Sequence, residues 1–313
     1  EDAALFDTVR DLGLDFCPAL GVSIPVGKDS LSMRTVWQDS NGRDQAVVAP
    51  LSLVISAFAG VTDVRRTATP DLKPGEDTRL LLVDLGQGRN RLGGSTLAQV
   101  FETIGDDVPD VAAADVRGLF AAVQSLIASD LLLAYHDRSD GGLLVTAAEM
   151  GFAGRRGVHL DLPADTDATA VLYNEEIGAL LQVRDSDMAK VRTVFDENGI
   201  GNCLLDVGGP TDDDRLVVTQ AGVERFSEEL GVLESAWSEL TFRMQERRDD
   251  PASARQEYEA ITDRADPGLS FHVPFDFGRT SPSGSERPRV AILREQGING
   301  QVEMAAAFDA AGC

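Results

Sequence analysis

Basic residues are scarce in this chain. Only 28 Lys plus Arg stand against 52 Asp plus Glu in 313 residues, a formal net charge of −24 and a pI near 4.4. Such an excess repels polyanions, so wholesale binding to nucleic acid or to an anionic membrane surface is disfavoured. A single nucleotide is not excluded, because clustered backbone N–H groups and a metal ion can hold its phosphates. Cysteine is also sparse. Cys17, Cys203 and Cys313 cannot build a disulfide framework, and none lies in a C-x-x-C pair. Histidine numbers three, at 136, 159 and 272, and no cysteine occupies a strand–turn–helix elbow, so nucleophilic catalysis finds little support. No apolar run approaches the roughly 20 residues of a membrane span. What remains is ordinary globular material, 43% hydrophobic and 26% charged, enough for about two domains. A reduced, soluble, cytoplasmic protein is expected.

Alternating patterns dominate the middle of the chain. Leu51–Val61 reads as a strand rich in β-branched and small residues, and Leu80–Asp84 as a short strand buried on both faces. The second of these runs into a glycine-rich turn at 86–95 and then a helix from Thr96. Leu119, Phe120, Val123, Leu126 and Ile127 keep helical spacing. Leu131–Tyr135 reads as a strand, followed by a helix carrying Leu144, Ala148, Gly151 and Phe152. Gly178–Val183 is a strand, and the next helix, with Met188, Val191 and Phe195, closes at Gly199. Strands near Cys203–Val207 and Leu216–Thr219 complete an α/β domain in rough alternation. From Val223 to about Ile261, Leu230, Leu233, Trp237, Leu240 and Met244 fall at helical intervals. Residues 266–288 read as a Pro-, Gly- and Ser-rich linker. A strand at Arg289–Leu293 and a helix through Ala305–Phe308 follow. Residue 1 is Glu, and the last β–α pattern stops at Cys313. One β–α unit cannot bury its own faces, so an internal piece of a longer polypeptide is expected.

Several short motifs carry possible chemistry. His136-Asp137-Arg138-Ser139-Asp140-Gly141-Gly142 leaves a strand, puts two carboxylates in one turn and opens a helix. Mg²⁺ takes one or two protein carboxylates and completes its shell with water and phosphate, so a metal-bridged nucleotide fits. Equally, Ser139 or Asp140 could simply cap the helix. The turn at 86–95 follows a strand, as phosphate-binding loops do, and contains Arg89 and Arg91, but it is no Walker A sequence. Its glycines serve either a phosphate or a tight turn. Lys28, in Gly27-Lys28-Asp29-Ser30, is either a point charge for a phosphate or solvated. The acids of Asn174-Glu175-Glu176 are either ligands or, as is usual at strand ends, surface residues. Cys203 reads as core.

The same segments resemble a known family. Pro25–Met33, Pro50–Phe58, Leu81–Ser95 and Tyr135–Leu143 are similar, in this order, to the large single-chain phosphoribosylformylglycinamidine synthases of purine biosynthesis. Arg287–Gly300 resembles the opening of that family's glutamine amidotransferase domain. The resemblance runs essentially end to end. It implies an ATP-dependent ligase that converts formylglycinamide ribonucleotide, with glutamine as amido donor, to formylglycinamidine ribonucleotide; ADP, phosphate and glutamate are the other products. The implied fold class is α/β (α+β), resembling aminoimidazole ribonucleotide synthetase. Residues 1–75 would end its N-terminal sub-domain and 76–222 would form its C-terminal α/β sub-domain. Residues 223–286 would be a helical segment and linker, and 287–313 the start of the amidotransferase domain.

Carried over by motif, Asp137 matches the family's magnesium ligand and Ser139 its ATP contact, at a second nucleotide site thought to be auxiliary. Mg²⁺ and ATP or ADP are therefore the implied cofactors, with the other metal ligands expected upstream of Glu1. Lys28, Gly93 and Gly94 are weaker nucleotide-contact candidates. The two glycines belong either to a phosphate loop or to a packing turn facing the family's other synthetase half. The glutaminase Cys-His-Glu triad is absent, Cys313 is not its nucleophile, and no catalytic residue is assigned. The implied partners are formylglycinamide ribonucleotide, glutamine and the missing domains of the same chain. Two other readings stay open: a non-catalytic Mg-nucleotide scaffold, and a small-molecule kinase, which also uses D-x-S-D-G-like turns but has no reason to carry residues 287–300.

Overall fold

The computed structural model describes residues 2–25, 27, 30, 32–75, 77–105, 107–274, 287–295 and 299–313. They fall into two units, Glu1–Asp263 and Arg264–Cys313. The first unit opens with α1 (Asp2–Arg10), a π-helical turn (Asp11–Phe16) and α2 (Cys17–Leu20). An exposed antiparallel hairpin, β1 (Arg34–Gln38) and β2 (Asp44–Val48), comes next. The main body then runs β3 (Thr78–Asp84), α3 (Thr96–Val100), α4 (Ala113–Ala128), β4 (Ala134–Asp137), α5 (Gly142–Gly154), β5 (Gly157–Leu162), α6 (Ala168–Tyr173) and β6 (Gly178–Arg184). It continues through α7 (Met188–Glu197), β7 (Leu204–Thr211), β8 (Arg215–Gln220), β9 (Val223–Glu229), α8 (Leu230–Arg248) and α9 (Pro251–Ala260).

Seven strands form one sheet in the order β4-β6-β3-β7-β5-β8-β9. All neighbours are antiparallel except the parallel pair β5–β8. The class is α+β with a mixed sheet. The apolar run of β3 has to satisfy two faces at once, because side chains alternate along a strand. Leu80 and Leu82 join a core formed with Leu143, Ala147 and Met150 of α5 and Leu172 of α6. Leu81 and Val83 join a second core with Leu119, Val123 and Leu126 of α4 and Val191 and Phe195 of α7. Helices thus cover both faces, which explains the lack of polar alternation in β3 and β6.

Three sequence expectations fail, each for an identifiable reason. Leu51–Val61 forms no strand: residues 49–61 have no regular structure and stand exposed, Val54 at 88% and Phe58 at 95%. β-propensity expresses fit to a pleated, half-covered surface, and no described strand pairs with this segment. Val223–Glu229 is a strand rather than helix, because its residues pair with β8 before the helical spacing starts at Leu230. In the second unit Arg289–Leu293 has no regular structure, with no strand beside it among the described residues, while the helix expected through Ala305–Phe308 forms as α10 (Gln301–Ala310). Among the described residues no helix is long and apolar enough to cross a membrane. Cys203 is buried just before β7, and burial pushes its thiol pKa up, so it behaves as core.

Leu81, fully buried between α4 and α7, gives a check on this layering. Leu81→Ala should lower the unfolding free energy by about 2–5 kcal/mol in urea titration. Val54→Ala, on the exposed segment, should change it by less than about 0.5 kcal/mol.

Candidate functional site

Strand order brings three loops to one edge of the sheet. The glycine-rich loop leaves the C-terminal end of β3, the acid turn leaves the C-terminal end of β4, and residues 174–176 enter β6, which lies between them. Asp84 pairs in register with Gly178, and Asp137 with Ala179. The segments 86–95, 137–142 and 174–176, far apart in sequence, are therefore neighbours.

Buried charges join them. Asp84, the last residue of β3, accepts a 2.6 Å hydrogen bond from a guanidinium nitrogen of Arg138, and both side chains are almost wholly buried. The same carboxylate accepts the amides of Gly86 at 3.1 Å and Gly88 at 2.7 Å, which shapes the start of the glycine-rich loop. Arg138 also donates through Nε to the Glu176 carbonyl at 2.6 Å. The Glu176 side chain, 1% exposed, takes a two-pronged grip from Arg91 at 2.7 and 2.8 Å and the Arg91 amide at 3.2 Å. Burial alone would push this carboxyl up; the Arg91 hydrogen bonds outweigh it and hold the pKa below the ordinary glutamate value. Asn174, fully buried, donates to the carbonyls of Ala170 and Val171 and to Asn90 of the glycine-rich loop.

Asn174 and Glu176 are thus an internal hub, against the surface reading for Glu176, while Glu175 between them is half-buried. Arg138 and Asp84 also escaped sequence reasoning. The available signal was an aspartate ending the apolar run Leu80–Val83, which needs a cation once it is buried.

Around this hub the sequence candidates separate. Asp137 ends β4 with an exposed carboxylate, and the Tyr135 hydroxyl donates to its Oδ1 at 2.5 Å, which pins its orientation. Burial, followed by that same bond, raises the phenol's pKa. Ser139 and Asp140 are exposed on the same turn. Neither side chain caps α5. The Gly141 amide is met instead by the Glu175 carboxylate at 2.8 Å, and the Gly142 amide by the Ser139 carbonyl at 3.0 Å. Gly142 has φ +69°, and a Cβ there would lie 2.6 Å from the Asn174 carbonyl, so the turn tolerates only glycine at this point.

Gly93 and Gly94 donate their amides to the carbonyls of Asp107 and Ile104, at 2.6 and 2.7 Å. A Cβ on Gly93 would come 2.3 Å from the Asp107 carbonyl oxygen. This is close packing against the chain's own Ile104, Gly105 and Asp107. Arg91 is committed to Glu176, and Arg89 turns back to the Gly86 carbonyl at 2.9 Å. Lys28 lies outside the described residues.

Nearby, both His136 nitrogens face acceptors: Nε2 lies 3.1 Å from Glu149 and Nδ1 2.7 Å from the Asp137 carbonyl. The Glu149 hydrogen bond leads in raising the imidazole pKa, because two acceptors select the doubly protonated ring. Among the described residues, no group of three or more His, Cys, Asp or Glu side chains could hold a metal ion. The turn can therefore offer Mg²⁺ one oriented carboxylate, a donor set suited to a cation that keeps most of its shell as water and phosphate oxygen.

Family comparisons agree with this architecture. Residues 76–220 match the family described as AIR synthase related protein, C-terminal domain. The α/β body is thus similar to an AIR synthase C-terminal domain over these residues. Residues 1–60 match the FGAR-AT PurM_N-like domain. Among solved structures, T. maritima PurL complexed with ATP is similar at 11% identity and a TM-score of 0.42, covering 61% of this chain and 28% of that one. T. maritima PurL complexed with FGAR gives 11% and 0.44, covering 61% and 30%. Hydrogenase maturation protein HypE in complex with ATP gives 18% and 0.39, covering 53% and 54%. The chain spans less than a third of the length of these PurL chains.

Two outcomes test the hub. Arg138→Met should cost about 3–5 kcal/mol of stability in urea titration, because it leaves Asp84 as a buried charge without its cation. Glu176 has its carboxyl pKa depressed in the folded chain, so its contribution is present above the ordinary value of 4.5 and is lost as pH falls through the lower, folded value. The stability difference between wild type and Glu176→Gln, followed by denaturation from pH 7 to pH 3, should therefore shrink towards zero at the acid end.

Proposed function

We propose that this chain is part of a phosphoribosylformylglycinamidine synthase, the glutamine- and ATP-dependent ligase that amidates formylglycinamide ribonucleotide, and that its turn at 137–139 holds a magnesium–nucleotide phosphate. The observation that supports the second half is the Asp137 carboxylate, exposed at a strand end and oriented by Tyr135, one residue from a buried arginine that cannot drift. The two family matches, in the order N-terminal domain then C-terminal domain, support the first half.

In this reading Asp137 offers its carboxylate to Mg²⁺ and Ser139 its exposed hydroxyl to the nucleotide. Bound magnesium neutralises phosphate charge, which an acidic chain of net charge −24 would otherwise repel. The Tyr135 O–H restrains Asp137 through its Oδ1. Arg138 points inward to Asp84 and does not compete for phosphate. Further metal ligands come from outside these residues, and the site is auxiliary: it braces the synthetase, while amidation itself needs the other domains. The scaffold role and the ligase role are then compatible.

Calorimetric titration of Mg·ADP tests the site. Wild type should bind, and Asp137→Asn should bind at least about ten-fold more weakly; equal affinity of the two proteins would remove Asp137 from the site. With ATP, formylglycinamide ribonucleotide and either glutamine or ammonia, the chain alone should form no amidine product, and product from this chain would refute the auxiliary assignment.

A further inference from the structure

The three loops of the hub are tied by buried charges at their bases, but the outer part of the acid turn, Ser139–Gly141, lies beyond the Arg138 anchor. The Glu175 side chain reaches it. A single oxygen of Glu175, Oε1, accepts the Gly141 amide at 2.8 Å and the Thr96 amide at 2.8 Å. The donors lie 34 and 79 residues away in sequence. One belongs to the acid turn; the other, Thr96, is the first residue of α3, directly after the glycine-rich loop.

Glu175 itself has little freedom of backbone. Asn174 on one side is fully buried and bonded to Ala170, Val171 and Asn90; Glu176 on the other is locked by Arg91 and, through its carbonyl, by Arg138. A carboxylate projecting from so fixed a base, with two amides on one oxygen, is a cross-link. Hydrogen bonds to a charged acceptor are among the stronger ones in proteins, and negative charge is favoured where α5 begins.

We infer that Glu175 is a positioning residue: it fixes the Ser139–Gly141 turn against the glycine-rich loop and so sets where Ser139 stands relative to Asp137. Because the chain's own carboxylate meets the Gly141 amide, a nucleotide phosphate engages the side chains of the turn rather than that N–H. The link to nucleotide rests on the reading of the turn as a magnesium–nucleotide site; the cross-link does not.

Amide exchange on the full chain separates the two. Glu175→Ala should accelerate exchange at both Gly141 and Thr96 by about ten-fold or more. Glu175→Gln should restore most of the protection, since its amide oxygen can still accept both bonds. Arg79→Ala, which breaks an ion-pair cluster with Asp185 and Asp206 at the opposite end of β3, should accelerate neither and controls for general loss of stability. Unchanged exchange in Glu175→Ala, acceleration at only one amide, or acceleration of both by Arg79→Ala would overturn the cross-link. In parallel, Mg·ADP affinity should fall in Glu175→Ala, recover in Glu175→Gln and stay unchanged in Arg79→Ala. Wild type that fails to bind Mg·ADP, with the exchange pattern as expected, would overturn the nucleotide reading and leave the cross-link standing.

Discussion

A carboxylate withdrawn from water must be met by a cation or by several N–H groups, and this domain meets two of them at one edge of its sheet. Asp84 and Glu176 are buried where β3 ends and β6 begins, and each is answered by an arginine from a different loop. Removing either partner leaves a charge that the interior cannot solvate, so the pairs act as a constraint on geometry more than as a source of net stability. The conformations of the glycine-rich loop and the acid turn follow from them. Arg91 and Arg138 cannot reach their acids unless both loops fold over the strand ends as they do.

This explains a division of labour along the acid turn. Alternate residues face opposite ways at the end of β4, so Arg138 goes inward as the anchor while Asp137 and Ser139 stay outside. The exposed residues available to a ligand are thereby carried on a segment whose centre is immobilised. An oriented carboxylate gains from such support, because packing and hydrogen bonds fix its rotamer before any ligand arrives. The sheet contributes the remaining precision, through cores on both faces that fix β3, β4 and β6 in register.

Much of the framework was legible in the sequence because apolar periodicity reports burial directly. Leu80–Asp84 reads as a strand covered on both sides, Gly178–Val183 as a strand, and Met188, Val191 and Phe195 as one face of a helix. What periodicity does not report is pairing. Leu51–Val61 has the composition of a strand but no strand beside it, and Val223–Glu229 was hidden by the helix that starts one residue later. The turn at 137–142 stands out in the sequence by its two carboxylates and paired glycines at the mouth of a helix. The hub beneath it does not. Glu175 and Glu176 look like any acidic pair at a strand end, and only the strand order shows that Arg91, 85 residues away, answers one of them. Arg89 and Arg91 likewise suggested phosphate contacts, but folding turns both towards the protein's own acceptors.

The central claim is that two ion pairs, contributed by separate loops and meeting at the Glu176 backbone, behave as one cooperative unit. A double-mutant cycle between Arg138→Met and Glu176→Gln, measured by urea denaturation, tests it most directly. The account predicts that the two effects are not additive, with a coupling energy of about 0.5–3 kcal/mol. Additivity within about 0.3–0.5 kcal/mol would mean that the pairs are independent and that the loops are not held as one.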